Sequence, residues 1–371
     1  MKTKHTVSFI IGNGFDIGVL CALEKVFLTS YKEFYAYLSY FLKTQNNSIY
    51  EAIRSLDNDS LWVDYELLLE NLVENKKLEI EKETDRQEQK KIYDTFIDDW
   101  KEIQYKFADF LNYVITPDTL KRVSALKGTK TLGSFLGDLQ KEDWEKIAFK
   151  NYPRYQSEIE YKIFNFNYST LADNYFFHLF DRHPYNVSDN NTDFYPNPRG
   201  FKGEGYIQKY DKKSLRSTIK FYHPHGQLSI PESILFGIGY NRKTYQTSTS
   251  STSNFHENFG EKLTKKLDKL YWSELGAEKD IEIIQTDLFI IYGHSIGESD
   301  KWWWQKILQA LARGDAELII YDYDSQNLKN QIIDYFPDLK ESVENKIFVI
   351  NFDDNTPLNY AFNFKRENAR E

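Results

Sequence analysis

Cysteine is nearly absent: Cys21 stands alone among 371 residues. One cysteine allows no intrachain disulfide and no multi-cysteine zinc site, a usage that fits a reducing cytosol. With no charged neighbour nearer than Glu24, Cys21 reads as a small core residue rather than an activated thiol. No apolar run reaches the roughly 18 residues of a membrane span. Lys2 and Lys4 precede an apolar run as in a secretion signal, but Asp16 and its glycine turn interrupt that run too early. The expectation is a soluble, cytoplasmic protein with no membrane partner. Excess positive charge is missing as well. A net charge of −9 makes nucleic acid an unlooked-for partner, since surfaces that grip it are basic. Methionine occurs once, so the core must be filled by other residues.

What fills it is aromatic. The chain carries 27 Tyr and 27 Phe, and 41% of its residues are hydrophobic, which marks a globular chain rather than a disordered one. Its length allows one large domain or two ordinary ones. Ser30 is a plausible N-cap, and Tyr31, Phe34, Tyr35, Leu38, Phe41 and Leu42 then recur at helical spacing. From Leu61 to about Val123 the pattern is helical and charged. Leu61, Trp62, Tyr65, Leu68, Leu69 and Leu72 make one stripe; Phe96, Trp100, Ile103, Phe107, Phe110, Leu111 and Val114 make another. The charge run from Glu74 to Lys91 reads as a solvated helix face or turn.

Strand signals flank this section. Val7 to Ile11 is followed, much later, by 161–167, 219–223, 234–236, 288–292, 318–321 and 347–350. Several are continuous apolar runs, as expected for strands buried on both faces of a parallel sheet. Helical patterns such as Trp302 to Leu311 and Ser325 to Tyr335 lie between them. The fold expected is α/β: a Rossmann-like, doubly wound, mostly parallel sheet with a large helical insertion after the first strand and helix. Residues 1–44 and 151–371 would form the nucleotide-binding domain and 45–150 the helical subdomain. Residues 183–205 and 241–260, the latter with a Ser/Thr tract at 247–253, read as surface loops, the second a candidate lid.

Polar clusters sit where these strands end: Gly12-Asn13-Gly14-Phe15-Asp16, Asn165-Phe166-Asn167-Tyr168-Ser169, His223-Pro224-His225-Gly226, Phe236-Gly237, and Gly293-His294-Ser295-Ile296-Gly297-Glu298-Ser299-Asp300. That edge is where open α/β sheets bind ligands. Each cluster alone is weak; five along one edge are not. Gly12 and Gly14 can take unusual backbone angles and let a ligand approach, and a turn after a strand offers N–H groups to phosphate. Asp16 conflicts with that use. Beside a phosphate, at ~4 Å and an effective dielectric of ~20, it would cost about 4 kcal/mol per charge pair, so it is expected to turn away, toward a ribose hydroxyl or a helix cap. Asn167 suits either a catalytic role or the cap of a helix from Thr170. His225 is favoured over His223 because Gly226 leaves space beside it. His294 suits a polar gap under its turn, Asp300 suits an N-cap, and Glu66 suits a helix surface.

Together these motifs, with Trp62-x-Asp64-x-Glu66, resemble the AbiH family of bacterial abortive-infection proteins, in order from about Ile10 to Ile350. That family is more distantly similar to the sirtuin superfamily, which binds NAD. The resemblance implies an antiphage defence protein that hydrolyses NAD at the nicotinamide N-glycosidic bond, with NAD as substrate and no metal. It implies His225 as the catalytic histidine and Asn167 beside the nicotinamide ribose. Gly12, Asn13, Gly14, Phe15 and Asp16 would form the cofactor turn, with Gly12 and Gly14 on the pyrophosphate. Gly226, Gly293, His294, Ser295 and Asp300 would complete the binding site. A zinc ribbon of the sirtuin kind is excluded by the single cysteine. The oxocarbenium-like transition state needs a base or polar group near the ribose, and a histidine near its usual pKa of ~6.5 can serve. Two rivals remain: a non-catalytic nucleotide sensor or scaffold in phage defence, and a metal-dependent nuclease using Asp16, Glu66, His225 and Asp300. The partners implied are a small-molecule nucleotide and either further copies of the chain or a phage-derived trigger protein.

Overall fold

The structure, a computed structural model, describes residues 4–41, 47–54, 65–125, 132–151, 158–179, 216–236, 258–268, 283, 285–353 and 356. Trp62, Asp64, Gly237 and the loops at 183–205 and 241–257 lie outside the described residues, as does the side chain of Glu66.

Strand β1 (Lys4–Ile11) buries every residue after Lys4. Helix α1 (Asn13–Ala22) starts almost at once. Then come α2 (Tyr31–Phe41), α3 (Ser48–Arg54), α4 (Tyr65–Lys82), α5 (Arg86–Val114), α6 (Pro117–Ala125) and α7 (Lys141–Lys146), with no strand among the described residues of this stretch. The chain continues through β2 (Glu158–Asn165), α8 (Leu171–Leu179), β3 (Arg216–Tyr222), α9 (Phe259–Leu267) and β4 (Leu288–Tyr292). It ends through α10 (Lys301–Arg313), β5 (Glu317–Tyr323), α11 (Leu328–Asp334), α12 (Lys340–Val343) and β6 (Ile347–Phe352).

All six strands pair in parallel, in the order β3-β2-β1-β4-β5-β6. This is the doubly wound order of dinucleotide-binding sheets, and the direction of winding reverses between β1 and β4. Alternate residues face two cores, which explains runs that are apolar throughout. Phe9, Ile11, Tyr161, Ile163, Ile290 and Tyr292 face one cluster shared with α1, α2, α5 and α8. Ile10, Phe164, Phe289, Ile291, Leu318 and Ile320 face a second cluster with α10 and α11. Trp303 and Trp304 of α10 are fully buried there, and each such side chain contributes about 2–3 kcal/mol through burial.

Three expectations change. Ile234, Leu235 and Phe236 form no strand. Instead Gln104 of α5 donates to the Ile234 carbonyl (2.7 Å) and the Tyr168 hydroxyl donates to the Leu235 carbonyl (2.8 Å), so side chains satisfy a backbone that was expected to pair in a sheet. Strand β2 ends at Asn165, which leaves Asn167 on a turn. Cys21 is exposed, because Phe15, Asp16, Val19, Leu20 and Ala22 take the inward face of α1. Ser30 does cap α2: the Glu33 N–H donates to its Oγ at 3.2 Å.

Candidate functional site

The register levels the strand ends. Ile11 pairs with both Asn165 and Tyr292, so the segments beginning at Gly12, Phe166 and Gly293 leave the sheet side by side, at the point where winding reverses.

The first and third of these turns touch each other. The Gly12 N–H donates to the Tyr292 carbonyl (2.9 Å), the Gly14 N–H to the Gly293 carbonyl (2.8 Å) and the Phe15 N–H to the Gly12 carbonyl (2.9 Å). A Cβ added to Gly12 would lie 2.5 Å from the Gly293 oxygen, and one on Gly14 2.8 Å from the Gly293 Cα. Gly293 has φ +67°, and its added Cβ would meet the Phe15 nitrogen at 2.4 Å. These glycines serve backbone-on-backbone contact between two turns. The N–H groups of Gly12 and Gly14, residues expected on a pyrophosphate, bond protein carbonyls. Phe15 turns into the core against Tyr175, Phe176 and Tyr292, and no part of its ring is exposed. Asn13 exchanges two hydrogen bonds with Thr29, donating to its carbonyl (3.0 Å) and accepting from its hydroxyl (2.7 Å), and so anchors the loop before α2.

Asp16 faces inward from the first turn of α1, an N-terminal position that favours a carboxylate. The Asn167 amide donates to its Oδ1 (2.8 Å) and the Ser169 hydroxyl donates to its Oδ2. Ser169 Oγ also accepts from the Leu171 N–H (3.2 Å), so Ser169, not Asn167, caps α8. Asp16 is 1% exposed, and no cation bonds it among the described residues. Burial pushes its pKa up to about 7 against the lowering hydrogen bonds from Ser169 and Asn167, with the nearby Asp173 charge adding to the rise. The network continues outward. Asn165 Oδ1 accepts from the Asn167 N–H (3.0 Å), Asn165 Nδ2 donates to Asp173 (2.8 Å), and Asp173 meets His223 Nε2 at 3.0 Å.

His225 is buried and sets its Nε2 3.0 Å from Asp300 Oδ1. In the tautomer that donates from Nε2 to the carboxylate, Nδ1 carries the ring's lone pair. Asp300 occupies the N-cap position of α10 but makes no side-chain capping bond; its carboxylate is turned to His225. His294 accepts the Ile296 N–H at Nδ1 (3.2 Å) and brings Nε2 to 3.9 Å from Asp300 Oδ2. Phe166 stands edge-on to both imidazoles, at 4.8 Å from His225 and 5.0 Å from His294. Tyr168 is 6.4 Å from His225, so the two neighbours of Asn167 flank the histidine. The space expected beside Gly226 is filled. Gly226 has φ +88°, and an added Cβ would meet the Ser233 carbonyl oxygen at 2.0 Å. Ser295 is exposed on its turn.

The structure thus joins Asp16 to Asn167 and Ser169, and Asp300 to His225 and His294. Ser169, Asp173 and His223 are the members that sequence reasoning did not single out. The Asn-x-Asn-x-Ser spacing of 165–169 and the His-x-His alternation hinted at them, but nothing local names Asp16 as the partner of Ser169. Among the described residues no group of three or more His, Cys, Asp or Glu side chains could hold a metal ion; the side chain of Glu66, one of the four ligands of the nuclease reading, lies outside them. A cavity of about 430 Å³ lies elsewhere, lined by Tyr93, Asp94, Ile97, Asp98, Lys101, Lys262 and Lys266, none of them at the strand ends. Among the described residues no helix is long and apolar enough to cross a membrane.

The family model for bacteriophage abortive infection AbiH matches residues 8–322, a span from β1 into β5 that contains every turn described above. No curated protein matches the chain. The chain belongs to the AbiH family, and with it to abortive-infection defence against phage.

Proposed function

We propose that this AbiH-family chain acts in defence by hydrolysing NAD between nicotinamide and ribose. The observation that carries this reading is the buried His225–Asp300 pair, with Phe166 and Tyr168, the two neighbours of Asn167, packed near the imidazole. In the reaction the ribose C1′–nitrogen bond breaks and its electron pair goes to the nicotinamide ring, which leaves neutral. Water adds at C1′ and gives a proton to His225 Nδ1. Asp300 orients the ring and offsets the imidazolium charge that results. Asn167 offers its carbonyl oxygen to a ribose hydroxyl or to the attacking water. Positive charge develops on the ribose in the transition state, and the Asp300 carboxylate makes the edge favourable to it. The adenosine half lies toward the exposed Ser295.

The test is chromatography of products from purified protein and NAD, with and without phage-infected cell extract. Nicotinamide release is expected, and His225→Ala is expected to lower it by about 10²–10⁴-fold. Absence of nicotinamide under both conditions overturns the reading. The burial of His225 favours a second reading, a sensor that binds nucleotide without turnover. Calorimetry that shows NAD binding with no product would establish it in place of the first.

A further inference from the structure

We propose that Asp16 is a positioning residue. It holds Asn167 with both amide hydrogens turned into the protein, which makes this part of the edge a reader of hydroxyl groups rather than of phosphate. The inference rests on the reading of the edge as a ligand site.

Asn167 has two side-chain N–H donors. One amide nitrogen supplies both, to the Gly12 carbonyl (3.1 Å) and to Asp16 Oδ1 (2.8 Å). Its backbone N–H is held by Asn165 Oδ1. Of the side chain, the carbonyl oxygen is therefore the polar atom left for a ligand. Rotating the amide would set that oxygen against two acceptors, so the orientation is fixed as long as Asp16 accepts. Asp16 is itself held on its other oxygen by Ser169. The remaining charged group that acts on it is Asp173 of α8, also an acid and tied to His223.

A ligand that meets this surface must bring a donor. Ribose hydroxyls and water do; a fully ionised phosphate brings only acceptors and negative charge. The N–H groups of Gly12 and Gly14, which could have taken a phosphate, bond Tyr292 and Gly293. The glycine turn with an acid inside it is thus no phosphate loop. Its acid orients an asparagine on the turn that follows β2.

The test uses the full chain, labelled with ¹⁵N, with the Asn167 side-chain amide assigned through Asn167→Asp. Asp16→Asn still offers Asn167 a carbonyl oxygen and is expected to keep the parent amide resonances. Asp16→Leu offers none and is expected to shift them and speed their exchange. In nicotinamide release, Asp16→Leu is expected to lower kcat about 30-fold with KM within about threefold, and Asp16→Asn to stay within about threefold of the parent in both. A structural role alone would move the two variants together, and that result, or an unmoved Asn167 amide in Asp16→Leu, overturns the proposal. The parent protein gives a measurement that does not depend on variant folding. Nicotinamide riboside is expected to move the Asn167 amide resonances and inorganic pyrophosphate to leave them in place. Movement by pyrophosphate, or by neither probe, counts against the proposal. Should the parent release no nicotinamide, the hydrolase reading falls while the resonances still decide the role of Asp16.

Discussion

Helix α5 and the C-terminal edge of the sheet are both buried, yet they are built in opposite ways. Along α5, Phe96, Trp100, Ile103, Phe107, Phe110, Leu111 and Val114 recur at helical spacing and enter one continuous apolar cluster. At the edge, Asp16, Asn165, Asn167, Ser169, His225 and Asp300 are equally buried, but each answers to one or two named partners. The helix face draws its stability from summed contact, which tolerates exchange among apolar residues of similar volume. The edge depends on matched donors and acceptors, where loss of one member leaves another unsatisfied. The first kind of burial holds the molecule together; the second holds chemical groups in fixed orientation.

Truncation on the helix side should show the largest effect. Phe107 lies 4.7 Å from Phe34, 5.3 Å from Phe236 and 5.2 Å from Tyr168, ring centre to ring centre. Phe107→Ala should destabilise by about 3–5 kcal/mol and Phe107→Leu by much less, read as the shift of the urea midpoint at unchanged slope. Near-equal loss in the two variants would erase the contrast drawn above.

The same contrast explains what the sequence made legible. The stripe of α5 and the apolar runs of β1, β4, β5 and β6 follow from periodicity, because summed contact needs only the right residue class at the right spacing. The strand ends stood out too, as polar residues just after apolar runs. Their partners did not, because Ser169 reaches Asp16 across 153 positions of chain. Spacing carries no trace of that contact. The glycines misled for a related reason. Gly12 and Gly14 signal close approach of something, and here it is Gly293 rather than a ligand. Ile234 to Phe236 failed in the other direction: an apolar triplet reads as a strand unless one knows that Gln104 will meet its carbonyl.

Asp16 offers the second way to sharpen the comparison, through pH. Its unfolded pKa is near 3.8 and its folded pKa is raised to about 7. A raised folded pKa favours the folded state below the unfolded value and loses that contribution as pH rises through the folded one. Parent stability should therefore decline, by an amount on the order of 4 kcal/mol from this group, between about pH 4 and pH 7. Asp16→Asn cannot titrate, so its stability relative to the parent should climb across that window and level off above it. Chemical denaturation of both proteins over a pH series measures the difference and cancels groups common to the two. A difference that stays flat with pH would mean that Asp16 ionises in the fold as it does in water.

The smallest effects separate glycines that the edge needs from one that it does not. Gly293→Ala should destabilise by about 2 kcal/mol or more, since a left-handed backbone alone costs a side chain about 1–2 kcal/mol and the Phe15 nitrogen stands in the way. Gly18 lies inside α1, where nothing comes within 4 Å of an added Cβ. Gly18→Ala should stabilise by about 0.5–1 kcal/mol, the usual gain of alanine over glycine within a helix. Thermal melts of the two variants should therefore move in opposite directions. A destabilised Gly18→Ala would show that α1 must flex near the site, and the edge would then be more than a rigid set of matched bonds.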